Sequence, residues 1–226
     1  MTLFIYGDSF ACLPTEYKHL ATKDHRWPYM VAKYLGHVEK NYGLGGSALE
    51  YSFTQIANTK KDWASGDLLL LCETELVRRW FIKELPNRGT FNNVTRATEI
   101  ADRDKKWIQR WFIDFHNIDL SFLQLKAYYY MLNAWCIEKD VTCYVIRCFD
   151  RPSIEDSYSN ILFSIGDALD AICYREFKIT PDRGILDTRI GHFSTENHVV
   201  IASAIIKALN NKKSIDFNIP FKEKFL

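Results

Sequence analysis

The 226-residue sequence lacks the features that would assign it quickly to several large classes. Its six cysteines, at 12, 72, 136, 143, 148 and 173, include no C-x-x-C pair. In a chain this long, with no secretory leader in sight, they read as reduced thiols that mostly fill the core. No apolar run approaches the length of a membrane span, and the longest, such as Leu68 to Cys72, are strand-sized. Met1 to Tyr6 is apolar but has neither a basic n-region nor a long h-region, so the expected setting is cytoplasmic, away from any membrane. Charge of one sign is also missing. Lys plus Arg number 29 against 28 for Asp plus Glu, a net +1, which leaves no basic footprint for nucleic acid or anionic lipid. There is no internal repeat, no low-complexity stretch, and no G-x-G-x-x-G fingerprint for a dinucleotide. His192 and His198 invite a zinc reading, but no third ligand stands at suitable spacing, so neither metal nor cofactor is expected.

What is present is ordinary globular composition: 47% apolar and 25% charged residues, with aromatics high at 15%. Short apolar runs alternate with longer helical stretches, the pattern of an α/β domain with a mostly parallel sheet. Leu3 to Tyr6 reads as a first strand, apolar throughout as a strand covered on both faces should be. Trp27, Met30, Val31, Tyr34 and Leu35 follow at helical spacing, with Gly36 as C-cap. A short strand over 37–42 leads into Gly43, Gly45 and Gly46. Ser47 then caps a helix whose inner face holds Leu49, Phe53, Ile56 and Ala57. Leu68 to Cys72 is the central strand. A long helix runs from Ser121 to Lys139, started by Asp119 or Ser121, and a strand follows over 142–148. Pro152 to Lys178 reads as helical in part, around Ile161 to Tyr174. Thr195 to Leu209 forms the closing helix, burying Val199, Val200, Ala202, Ile205, Ile206 and Leu209. The tail from Asn210 looks loosely packed, with Phe217, Phe221 and Phe225 as anchors. The chain is expected to be one domain, 1–226, with an aromatic-rich, lid-like insertion at about 85–118.

Four segments carry residues with chemistry, and each falls where a loop leaves the carboxyl end of a strand, the edge at which open α/β sheets bind ligands. Gly7-Asp8-Ser9 puts a hydroxyl and a backbone N–H on a strand-to-helix turn, the needs of a nucleophile that also supplies part of an oxyanion hole. Alone, the tripeptide is more simply a turn with a capping side chain. Asn41 to Ser47 has glycines that let backbone N–H groups approach a substrate oxygen, or that merely form a left-handed turn into a helix. Cys72-Glu73-Thr74-Glu75, followed by Arg78, could face the same cleft, or could be a helix start with acids in its first turn. Asp187 to His198 brings a candidate general base ahead of the closing helix, although a lone His there is more often a cap or a surface residue.

Their order along the chain is more specific than any one of them. Gly7-Asp8-Ser9, the N-x-G-x-x-G of Asn41 to Gly46, and the H-x-[ST]-x-x-x-H of His192 to His198 resemble the SGNH (GDSL-type) hydrolases over residues 1–80 and 140–210. The pair Thr74 and Arg78 is similar to divergent stand-alone members found in phages and bacteria. The resemblance implies a three-layer α/β/α sandwich with a mostly parallel, flavodoxin-like central sheet. It also implies a serine esterase with Ser9 as nucleophile and His192 as base. The Ser9 and Gly46 amides would form the oxyanion hole, and His198 would be structural.

Two departures accompany it. Thr74 stands where the family has an oxyanion-hole Asn, and its hydroxyl is expected to serve as the third oxyanion donor. The place of the acid, three residues before the His, is Arg189, leaving Asp187 as the nearest substitute or a Ser–His dyad. Asp8 and Arg78 are expected to border the substrate pocket. Losing an oxyanion donor costs roughly 10²–10³ in rate, and a misplaced acid up to about 10⁴, so an ester is the expected substrate rather than an amide. An O-acyl or O-acetyl group on a carbohydrate or similar polar scaffold fits best. A non-catalytic glycan-binding or structural module and an acyltransferase are the alternatives, and a homo-oligomer is allowed.

Overall fold

Leu3, Phe4, Ile5 and Tyr6 are all fully buried, because the strand that carries them, β1 (Thr2–Tyr6), is covered on both faces. In this computed structural model residues 1–11, 23–76, 78–80, 90–91, 106–107, 110–111, 114, 116–154, 157–173, 193 and 195–218 are described. β1 pairs in parallel with β2 (Val38–Asn41) on one side and β3 (Leu68–Glu73) on the other. After a two-stranded antiparallel hairpin, β4 (Arg79–Trp80) with β5 (Thr90–Phe91), the main sheet continues through β6 (Thr142–Arg147) and β7 (Ile161–Phe163). Its order is β2-β1-β3-β6-β7 and every neighbouring pair is parallel. The doubly wound flavodoxin-like arrangement has this order, and its topological switch point lies between β1 and β3.

Alternation along the strands divides the core in two. Leu3, Ile5, Leu70, Cys72, Tyr144 and Ile146 face α1 (Trp27–Leu35) and α4 (Thr195–Asn211). Phe4, Tyr6, Leu69, Leu71, Cys143 and Val145 face α2 (Leu49–Thr59) and α3 (Ile118–Lys139). The result is the expected three-layer α/β/α fold. The side each helix takes follows from right-handed crossovers: the chain moves from β1 to β2 in one direction, then back across β1 to β3 and β6 in the other.

Local rules explain most element ends. Pro28 sits in the first turn of α1, where a missing N–H costs nothing, and Gly36 closes it at φ 66° with its N–H on Ala32 and Lys33 carbonyls. Some expectations need correction. Ser47 does not cap α2, since Ala48 holds the N-cap position and the Ser47 hydroxyl turns instead to the Gly7 carbonyl. α3 is capped by Asn117, whose side chain accepts from the Asp119 and Leu120 amides. Residues 161–163 form β7 rather than helix; an apolar run of three cannot be assigned by periodicity, and pairing with β6 decides it. Ala57 and Val199 are exposed, because each lies off the buried stripe of its helix. The tail is not loose as far as it is described: Ile215 and Phe217 are buried, and Asp216 bridges to Ile165. Phe221, Phe225 and most of the 85–118 insertion lie outside the described residues. The five described cysteines are free and buried, and burial pushes the Cys136 thiol up to about 12. No described helix is long and apolar enough to cross a membrane.

Candidate active site

The loops leaving β1, β2 and β3 meet at the switch point because Gly7 lets them. Its φ is +143°, and a Cβ there would stand 2.5 Å from the Cys72 Cβ and 2.8 Å from the Cys72 carbonyl oxygen. Only a residue without a side chain can lay the β1 loop this close to the end of β3. From there the β1 loop tightens into a turn. Asp8 accepts the Phe10 N–H on its side chain (3.1 Å) and the Ala11 N–H on its carbonyl (3.0 Å), which leaves Ser9 half-buried at the apex. Outer supports hold this turn: the Trp27 indole donates to the Phe10 carbonyl (2.9 Å), the Asn41 amide to the Ala11 carbonyl (2.8 Å), and Arg26 to the Ser9 carbonyl (3.4 Å).

The β2 loop is a second turn. The Ser47 N–H donates to the Leu44 carbonyl (3.1 Å), and Gly46 has φ 80°, the sign that a type II turn requires at its third residue. The closing bond of such a turn does not use the Gly46 N–H. The Leu44 N–H donates to the Gly7 carbonyl (3.0 Å), which fastens this turn to the first.

Thr74, Asp8 and Arg78 are brought together, though not as pocket walls. Asp8 is fully buried, Thr74 nearly so, and Arg78 is 8% exposed. The Thr74 hydroxyl donates to the Asp8 carboxylate (3.0 Å), as does Arg78 Nη1 (3.2 Å). Sequence reasoning expected the Thr74 hydroxyl to face the cleft and Asp8 and Arg78 to border a substrate. In the folded chain the three face one another beneath the loops, because a buried carboxylate needs a cation and donors close by.

No family model matches the chain, and no curated protein sequence does. The fold, however, is found in a solved structure. A carbohydrate esterase whose active site is described as displaying divergent catalytic and non-catalytic binding functions superposes with a TM-score of 0.51 at 10% identity, covering 95% of this chain and 69% of its own. At that identity the likeness is one of fold: a distant esterase shares this α/β architecture.

His192 and Asp187 lie outside the described residues, as does Arg189. Phe193, the residue after His192, is described and buried. Its ring centroid lies 5.9 Å from that of Phe10, the residue after Ser9, and 5.9 Å from the His198 ring. Phe149, from the loop after β6, meets Phe10 edge-on at 5.8 Å, and the Arg78 guanidinium sits 5.6 Å over its face. Sequence reasoning missed this aromatic group, since its members are single Phe residues in separate loops with no spacing signal. Among the described residues no three His, Cys, Asp or Glu cluster as metal ligands would.

A second buried ion pair was also missed. Glu73 receives Arg151 Nε and the Tyr129 hydroxyl, with both side chains of the pair almost wholly enclosed. Burial, and then the Glu73 charge beside it, pushes the Tyr129 hydroxyl well above its ordinary range. Burial works against the Arg151 cation, but Glu73 outweighs it and holds Arg151 above its ordinary value.

Proposed function

We propose that the chain is a serine esterase of SGNH type, built as one domain, that hydrolyses an O-acyl or O-acetyl ester on a carbohydrate or similar polar scaffold. Ser9 is the nucleophile and His192 the general base. Asp187 orients His192, and the backbone amides of Ser9 and Gly46 receive the oxyanion. In the reaction His192 takes the Ser9 proton as Oγ attacks the carbonyl carbon. The departing alkoxide then collects that proton, leaving an acyl-Ser9. Water, deprotonated by His192, attacks the acyl-Ser9; its collapse releases the acid and returns the proton to Ser9.

One contact carries this reading: Phe193 against Phe10 holds together the residue following His192 and the residue following Ser9. Three further points support it. Ser9 stays half-buried while Asp8, Thr74 and Arg78 are buried, the Gly46 amide is not used by its turn, and the fold is shared with a carbohydrate esterase. The expected result is that a fluorophosphonate probe labels wild-type protein at Ser9, and that Ser9→Ala and His192→Ala each lose the labelling. A folded wild-type protein left unlabelled sinks the proposal.

A non-catalytic glycan-binding role is the second reading. The observation favouring it is that the Thr74 hydroxyl is committed to Asp8, so the oxyanion hole has two amide donors and no third from this side chain. Saturable glycan binding without turnover of p-nitrophenyl esters would select it.

A further inference from the structure

The turn that carries Gly46 is gripped at both ends. At its start the Leu44 N–H holds the Gly7 carbonyl at 3.0 Å. At its end the Ser47 carbonyl accepts from Arg78 Nη1 at 3.2 Å and lies 3.4 Å from the Thr74 hydroxyl. The same two donors hold Asp8, whose backbone and carboxylate shape the turn that carries Ser9. One guanidinium nitrogen and one hydroxyl therefore bridge the β1 and β2 loops, each touching both. Ser47 and Asp8 are fully buried, so water cannot readily replace either contact.

We infer that Arg78 and Thr74 are positioning residues that fix the distance between the Ser9 and Gly46 amides without touching the substrate themselves. The inference rests on the esterase reading for its catalytic consequence, although the clamp is a structural claim in its own right. Two amides can share one developing oxyanion only if their separation is held, and a displacement of about 1 Å at such a site costs on the order of 10²-fold in rate. Arg is suited to this place because its planar fork presents several donors in fixed directions. A Lys ammonium keeps the charge opposite Asp8 but not the geometry. Glu75, 3.6 Å from Arg78 Nη2, and the Phe149 face hold the rest of the guanidinium in plane.

The test compares Arg78→Lys, Thr74→Val and Thr74→Ser with wild type, using p-nitrophenyl acetate turnover and the rate of fluorophosphonate labelling. Arg78→Lys is expected to lower kcat on the order of 10²-fold with KM within about threefold, and to slow labelling in parallel. Thr74→Val, which changes no charge and keeps the shape, lowers kcat roughly tenfold, and Thr74→Ser restores it. A kcat within about threefold of wild type in both Arg78→Lys and Thr74→Val overturns the inference, as does a change confined to KM. Wild-type protein that neither turns over the ester nor labels at Ser9 ends the esterase reading instead. Amide hydrogen exchange over residues 44–47 then decides the clamp. Exchange roughly tenfold faster in Thr74→Val than in wild type, with β3 unchanged, upholds it, and equal exchange overturns it.

Discussion

Glu73 and Thr74 are adjacent at the end of β3, yet each feeds a different buried ion pair. Glu73 turns toward α3, where Tyr129 and Arg151 close on it. Thr74 turns toward Asp8 and Arg78. Both clusters contain a carboxylate, an arginine and a hydroxyl, and in both the ion pair is largely enclosed. They differ in what they hold. The Glu73 cluster ties a helix and the loop after β6 to the sheet, so its output is packing. The Asp8 cluster ends on the Ser47 carbonyl and on the turn below Ser9, so its output is the relative placement of two loops. Two clusters of the same composition thus do different work, and the difference is in what stands on the far side of each hydrogen bond.

The largest expected effect breaks the Glu73 side. Arg151→Met leaves a carboxylate buried without its cation and should destabilise the fold by about 3–5 kcal/mol, as removing one partner of an enclosed pair does. Chemical denaturation measures this, while fluorophosphonate labelling of the folded fraction should stay within about threefold of wild type. If Arg151→Met slows labelling as much as Arg78→Lys, the two clusters are not distinct in function.

A smaller effect sharpens the Asp8 side from its base. Gly7→Ala puts a methyl 2.5 Å from the Cys72 Cβ and 2.8 Å from the Cys72 carbonyl, at a φ that side chains rarely adopt. The loop must lift from β3, at a cost of about 1–3 kcal/mol. Because Ser9 rides on that loop, labelling should also fall, unlike in Arg151→Met. A stability loss under about 0.5 kcal/mol with labelling unchanged would mean that the loop absorbs the methyl without lifting.

The fold was legible in the sequence wherever one physical signal dominated. β1 and β3 are apolar without interruption because both faces are covered, and α1 is framed by Pro28 and Gly36. β7 was illegible because three residues carry no periodicity and their pairing with β6 is not local. At the site, the loops that matter could be found from Gly7-Asp8-Ser9 and the 43–46 glycines, since the need for close approach is written in the residue type. The directions of Thr74, Asp8 and Arg78 could not. All three were picked out, but which way a hydroxyl or guanidinium turns depends on what else is buried beside it. Arg151 and Phe149 left no trace at all, because a single Arg or Phe after a strand is ordinary until the tertiary fold supplies its partner.

The smallest effect concerns Asp170, which feels the Asp8 cluster only through the charge of Glu75. Asp170 lies in a helical turn that starts at Leu169, its N–H on the Cys148 carbonyl at 2.9 Å. Partial burial, then the like charges of Asp150 and Glu75, raise its pKa, although the Ala171 N–H on its carboxylate works the other way. A carboxyl whose pKa is higher folded than unfolded binds its proton more readily in the native state. Its contribution to stability is therefore full below the ordinary carboxylate range and declines as pH rises through the raised value. Asp170→Asn stays neutral and can still accept from Ala171. The variant should melt with wild type at about pH 3–4 and a little above it at pH 7, by a few degrees at most because the group is half open to solvent. A gap of the same size at both pH values would mean that the substitution acts through packing rather than charge. A gap of opposite sign at pH 7 would mean that a cation within reach pairs with Asp170 more strongly than Asp150 and Glu75 repel it.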